Sequence, residues 1–117
     1  MTLKKLSPLL GEQPNGCILF MCPACDHVHS LPIEGRYTGP HDKWTWNGNV
    51  DKPTFAPSVR AWYDRPAHDG RPARTYVCHS FVREGRIEYL SDCTHRLAGQ
   101  TVDLIPLPEE YYGGFSQ

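Results

Sequence analysis

Proline and glycine interrupt this chain so often that long helices are excluded. The 117 residues include 11 prolines and 10 glycines, and no segment repeats its apolar residues with the period of an amphipathic helix. Short apolar or alternating runs bounded by turn residues occur instead, and these are typical of β-strands. We therefore predict a mostly β fold, a small barrel or sandwich with long loops and little helix.

Turn-forming residues and composition divide the chain into one domain and two flanking segments. Residues 1–15 are predicted as an N-terminal arm, 16–108 as the β domain, and 109–117 as a C-terminal tail. Residues 64–74 carry two prolines and a glycine and are predicted as a mobile loop, whereas the prolines of 52–58 favour a rigid, extended one. The predicted strands are 17–22, 27–33, 43–46, 58–63, 75–82, 86–90 and 101–107.

The cysteines point to a metal rather than to disulfides. Their number is five, and no signal peptide core precedes them. Cys22 and Cys25 form a CPAC knuckle, in which two thiolates on a tight turn can reach one tetrahedral ion. Hydrophobic residues make up only 39% of the chain. Small domains with few hydrophobic residues often need a bound metal or disulfides for stability. We therefore predict a zinc site.

A knuckle needs two further ligands, and strand alternation selects one of them. Cys78 and His79 are neighbours in a predicted strand, so their side chains point to opposite faces. Thiolate suits a cysteine-rich site better, so Cys78 is predicted as the third ligand. His95 is our first choice for the fourth, with His29, His79 and Cys93 as alternatives. Three thiolates leave zinc a poor Lewis acid, so the predicted zinc is structural.

The face of the strand opposite Cys78 is where a hydrolytic site could form. His79 points there, and Ser58 ends the proline-held loop KPTFAPS. The sequence allows Ser58 as nucleophile and His79 as general base, with Asp92 or His29 selecting the imidazole tautomer. A zinc held by Cys22, Cys25 and one more ligand, with a water, is the other hydrolytic route. Deamination is excluded because no HxE motif occurs.

Several motifs together resemble a family of small phage and bacterial proteins, many of which carry an ammonia monooxygenase label. These motifs are CPAC, HVH, WTWNG, KPTFAPS, CHSF, EGR and DCTHRLAGQTVDL, and they extend over residues 17–107. That label is rejected, since the true oxygenase is embedded in a membrane and this chain has no apolar run near 20 residues. Relatives beside bacterial ubiquitin-like proteins and E1- and E2-like enzymes imply a peptidase or isopeptidase acting on a protein modifier.

Charge and composition limit the partners that the chain could bind. The net charge of −1 argues against nucleic acid and against a polybasic membrane anchor, so a protein or peptide is the expected partner. The expected location is the cytoplasm, in the bacterial host if a phage encodes the chain. A non-catalytic, zinc-stabilised interaction module is the alternative function, because exposed aromatic residues would suit a protein partner.

Overall fold

Two antiparallel sheets form the protein, and a computed structural model describes residues 3–25 and 27–111. The first sheet has the order β1-β2-β3-β4 and the second β5-β6-β7-β8-β9. The strands are β1 (Lys4–Lys5), β2 (Leu10–Glu12), β3 (Cys17–Cys22), β4 (His27–Pro32), β5 (Thr45–Trp46), β6 (Phe55–Arg65), β7 (Arg74–Arg83), β8 (Arg86–Tyr89) and β9 (Thr101–Asp103). One 3-10 turn, Glu109–Tyr111, follows them. The predicted mostly β fold is confirmed, in its sandwich form.

The core lies between the two sheets. Phe20 of β3 stacks on Phe55 of β6, with ring centroids 5.9 Å apart. Ile18, Val82 and Ile87 are also fully buried and belong to the same cluster. All six residues of β3 are buried, which places this strand at the centre of the molecule. Burial of these side chains holds the sheets together and fixes the register of each strand.

The structure differs from the sequence prediction at the N-terminus. Residues 4–5 and 10–12, predicted as part of an arm, form β1 and β2 and extend the first sheet beside β3. Leu10 is fully buried because β2 places it opposite Phe20. The predicted tail contributes the 3-10 turn at Glu109–Tyr111, and the rest of it lies outside the described residues.

The predicted mobile loop is shorter than residues 64–74, because β6 and β7 extend into it. Asp64 pairs with Thr75 and Arg65 with Arg74, and the hairpin closes at a bridge between His68 and Arg71. Asp69 and Gly70 at its tip have φ angles of 47° and 76°. Positive φ at both central residues is typical of a type I′ turn, which suits the twist of paired strands.

The prolines of 52–58 produce an irregular start of β6 rather than a loop outside the sheet. Phe55 pairs with Val82 and Val59 pairs with Ser80, so two extra residues lie on β6 between these pairs. Ser58 lies in this bulge, immediately before the regular part of the strand. Bulges bend a strand and redirect its side chains, and they occur often beside functional sites.

Candidate active site and metal centre

The first cluster of reactive side chains lies inside the sandwich, where the β3–β4 hairpin faces β7. Cys22 ends β3, Cys25 lies in the turn, and His29 is on β4. His29 pairs with Phe20, two residues before Cys22, so alternation turns Cys22 and His29 to the same inner face. Cys78 approaches from the second sheet, and its Sγ lies 3.8 Å from that of Cys22.

These four residues form a potential metal-binding group. One ligand atom from each lies within 4.8 Å of all the others. The three cysteines are free thiols, and Nε2 of the buried His29 has no hydrogen-bond partner among the described residues. An unpaired buried nitrogen is costly in a folded protein, and a metal ion would satisfy it. Three sulfurs and one imidazole are a donor set that fits zinc.

Hydrogen bonds divide the negative charge of the cluster unequally. Hydrogen bonds from the Cys25 and Cys78 thiols lower the pKa of Cys22. The contact with Cys22 raises the pKa of Cys25 to about 12 and also raises the pKa of Cys78. Tyr89 donates its hydroxyl hydrogen to the Cys22 sulfur over 3.1 Å. A bound cation would reverse the two upward shifts, since metal ligation favours the thiolate.

The fourth member of the group is His29, whereas the sequence analysis favoured His95. His95 lies in the loop after β8, where its Nδ1 accepts a hydrogen bond from the Leu97 amide at 3.2 Å. Its ring lies edge-on against Tyr89, with centroids 4.5 Å apart, and burial lowers its pKa. The sequence analysis weighed His29 as an alternative, and its strand position opposite Phe20 is what brings it to the cluster.

The second cluster lies on the opposite face of β7 and contains the predicted hydrolytic residues. His79 Nε2 is 3.1 Å from Ser58 Oγ, and His79 Nδ1 is 3.0 Å from Asp92 Oδ2. The His79 hydrogen bond lowers the pKa of the Asp92 carboxyl, so this group is an anion that accepts a hydrogen bond from the Nδ1–H group. With the hydrogen on Nδ1, Nε2 can accept a hydrogen bond from the Ser58 hydroxyl.

Sheet register explains how Ser58 and His79 meet. His79 pairs with Arg60, and Ser58 lies two residues before Arg60 on the same face of β6. Ser58 is therefore a diagonal neighbour of His79, a distance that an imidazole can span. Cys78 pairs with Ala61 on the inner face, which is why the metal-binding group and the Ser58–His79 contact occupy opposite faces of one strand.

Two residues that the sequence analysis did not single out for this site hold its backbone. The Trp44 indole donates a hydrogen bond to the Ser58 carbonyl over 3.1 Å. The Cys93 sulfur accepts from the His79 amide at 3.2 Å, and its S–H group donates to the His79 carbonyl at 3.1 Å. Cys93 was considered as a metal ligand, but the structure places it outside the Cys22 cluster. No sequence motif signals these contacts, because they depend on long-range packing.

An open cavity of about 320 Å³ lies beside the metal-binding group. Its walls include Cys25, His29 and Cys78 from the group, and Ala61 and Tyr63 from β6. Trp62 and Tyr63 at its rim are each 57% exposed. The cavity is large enough for one or two side chains of a partner, and its lining is mainly apolar and aromatic.

The comparison with protein-family models bears on the serine site. The model of the family described as bacterial ubiquitination-like system serine protease (BubE) matches residues 3–90. No curated protein and no solved structure gives a match. Both Ser58 and His79 lie within the matched residues, as do all four members of the metal-binding group, and Asp92 lies two residues beyond them. The chain belongs to the bacterial ubiquitination-like system serine protease (BubE) family.

Proposed function

We propose that this protein is a serine peptidase that cleaves a peptide or isopeptide bond at a protein modifier. The observation that carries the proposal is the chain of hydrogen bonds from Ser58 through His79 to Asp92, with lengths of 3.1 and 3.0 Å. A nucleophile, a base and a group that orients the base are the three side chains by which serine hydrolases activate the serine. Membership of the serine protease family supports a protein substrate.

In the proposed reaction, the Ser58 oxygen attacks the scissile carbonyl carbon while its proton passes to His79 Nε2. The tetrahedral intermediate then collapses, the C–N bond breaks, and the proton on Nε2 moves to the leaving amine. Ser58 is left as an ester. Water attacks that ester with His79 again as base, which releases the carboxylic acid and restores the serine. Asp92 accepts the Nδ1 hydrogen bond throughout and stabilises the imidazolium.

Zinc is the proposed occupant of the group formed by Cys22, Cys25, His29 and Cys78. When bound, it supplies a structural cross-link between the β3–β4 hairpin and β7. Cys78 directly precedes His79, so fixing the first residue also fixes the backbone of the second. Five free cysteines in the chain suit a reducing compartment, which supports the cytoplasm as the proposed location. No helix among the described residues is long and apolar enough to cross a membrane.

A fluorophosphonate probe tests the proposed nucleophile without knowledge of the substrate, because it reacts with serines activated by histidine. We expect stoichiometric labelling of Ser58 in the purified protein, located by peptide mass spectrometry. Ser58→Ala and His79→Ala should abolish labelling and leave the circular dichroism spectrum unchanged. Ser91→Ala, which removes an exposed serine beside Asp92, is the matched control and should label normally. Labelling of Ser58→Ala equal to that of the wild type would contradict the proposal.

A non-catalytic interaction module is the second candidate, favoured by the exposed Trp62 and Tyr63. Large exposed aromatic side chains are common at protein interfaces. The two candidates differ in their dependence on Ser58. A binding module would keep its function in Ser58→Ala, whereas a peptidase would lose turnover.

A further inference from the structure

Beside the serine, one edge of β6 has no neighbouring strand in the part of the chain that the structure describes. β5 pairs only with Phe55 and Ala56, and among the described residues no strand pairs with β6 on that side beyond Ala56. Arg60 to Asp64 therefore form an open edge that begins two residues after Ser58. Natural proteins usually cover or interrupt such edges, because an open edge pairs readily with another extended chain.

The hydrogen bonds of β7 show which polar groups of β6 point to the free edge. The carbonyls of His79 and Val77 accept from Leu90 and Thr94 at 2.9 and 3.0 Å, so both point away from β6. Their cross-strand partners Arg60 and Trp62 must then direct their own N–H and C=O groups away from β7. Asp64 follows with the same period of two. The free edge thus offers donors and acceptors from Arg60, Trp62 and Asp64.

The Ser58 carbonyl fits this pattern, because it also points away from β7. It accepts the hydrogen bond from the Trp44 indole, so it cannot pair with an added strand. A strand added to this edge can pair from Arg60 onward but must leave the sheet at Ser58. Neighbouring strands lie about 4.8 Å apart, so the departing chain passes within reach of Ser58 Oγ. The free edge therefore leads an extended chain directly to the proposed nucleophile.

The cavity lies along the same edge. Ala61 and Tyr63 alternate along β6 with Arg60, Trp62 and Asp64, whose backbone groups face the free edge. Ala61 and Tyr63 line the cavity on the inner side of the sheet. In an added strand, residues opposite Ala61 and Tyr63 turn their side chains to this inner side. Residues opposite Arg60 and Trp62 turn theirs outward and direct their backbone N–H groups to β6. Substrate residues that form backbone hydrogen bonds with β6 would then alternate with residues whose side chains enter the cavity.

We infer that the substrate binds as an added β-strand along Arg60–Asp64, with alternate side chains entering the cavity beside the metal-binding group. The inference rests on the proposed peptidase function. Antiparallel pairing is the more stable arrangement per residue. An antiparallel substrate strand runs from Asp64 towards Ser58, so the residues before the scissile bond lie along this edge. These residues form the acyl group that remains on Ser58 after the first step. The substrate is therefore an extended polypeptide segment, with specificity set several residues before the cleaved bond.

The test uses a positional-scanning library of N-acetyl octapeptide coumarin amides, with Ser58→Ala as the background control. Single N-methyl groups are then placed along the best substrate. Methylation opposite Arg60 and Trp62 should each lower kcat/KM about three- to tenfold, because one hydrogen bond to β6 is lost. Methylation at the intervening positions should have little effect. Those intervening positions should instead respond most strongly to changes in side-chain size.

A protein variant tests the same edge from the other side. Trp62→Pro removes an N–H group that points to the free edge, and proline is tolerated on edge strands. Trp62→Ala is the matched control, because it removes the indole but keeps the N–H group. We expect kcat/KM of the proline variant to be three- to tenfold below that of the alanine variant. Their thermal unfolding should be compared, and the N-methyl series applies even if the proline variant fails to fold.

The outcomes separate this inference from the function on which it rests. Cleavage with alternating sensitivity to N-methylation supports the strand. Cleavage with equal sensitivity at all positions overturns it and leaves the peptidase intact. Failure of the wild-type protein to cleave any library member, together with no fluorophosphonate labelling of Ser58, overturns both.

Discussion

Replacing Asp92 by asparagine removes the charge that orients His79 while keeping the size of the side chain. Nδ1 of His79 now donates to Oδ2 at 3.0 Å. The asparagine amide can instead donate to Nδ1, which places the imidazole proton on Nε2. That tautomer cannot accept the proton of Ser58, so most of the variant is held in an inactive form. We expect kcat to fall with little change in KM.

The exposure of Asp92 sets the size of the expected loss. In triads with a buried carboxylate, the same change lowers kcat by about 10⁴. The Asp92 side chain is 52% exposed, so water screens its charge and partly solvates the imidazolium without it. The loss of one hydrogen bond to a charged group corresponds to roughly a ten- to hundredfold effect. We therefore expect kcat to fall about a hundredfold, well short of the buried case.

The measurement is steady-state cleavage of a coumarin peptide, with kcat and KM determined separately. Asp103→Asn is the control, since Asp103 is an exposed carboxylate of the same sheet, 3.1 Å from its partner Arg86. It should keep full activity. Thermal unfolding of both variants should match that of the wild type. An unchanged kcat in Asp92→Asn would refute the role of this carboxylate in the mechanism.

Three further predictions concern the metal, the serine and the core. Elemental analysis should find about one zinc per chain in the wild type and in His95→Ala but clearly less in His29→Ala. Chelation should lower the free energy of unfolding by about 10 kcal/mol. Full thermal stability of the metal-free protein would contradict a structural zinc. Trp44→Phe removes the hydrogen bond to the Ser58 carbonyl and should lower kcat/KM about three- to tenfold, with Trp46→Phe as the control. Phe20→Ala should lower the free energy of unfolding by about 3–5 kcal/mol in denaturant titrations, because Phe20 is fully buried against Phe55, and a loss below 1 kcal/mol would contradict its place in the core.

Strand periodicity and cysteine spacing were sufficient to predict the fold class and much of the arrangement of the two clusters. The prediction that Cys78 and His79 face opposite ways needed only strand alternation. The strands before Cys17 escaped prediction because Lys4–Lys5 and Leu10–Glu12 are too short to show a pattern, and they form by pairing with β3. Their stability comes from the neighbouring strand rather than from local sequence.

The choice between His29 and His95 shows where the sequence alone was insufficient. Both follow a cysteine at short spacing, and neither position favours one histidine by itself. The choice depends on the β3–β4 register, which places His29 opposite Phe20 and so on the inner face. The roles of Trp44 and Cys93 were missed for a related reason, since each acts on a backbone group distant in the sequence. Trp44 and Ser58, for example, are 14 positions apart.

The adjacency of Cys78 and His79 also makes both clusters depend on the register of β7. A slip of β7 by one residue would exchange their faces, sending the imidazole into the metal group and the thiol to the serine. Such a chain would lose the hydrolytic site, and it would turn the fully buried Val82 away from the core. Misassembled molecules would therefore be both unstable and inactive. Insertions or deletions within β7 should be correspondingly rare among functional variants.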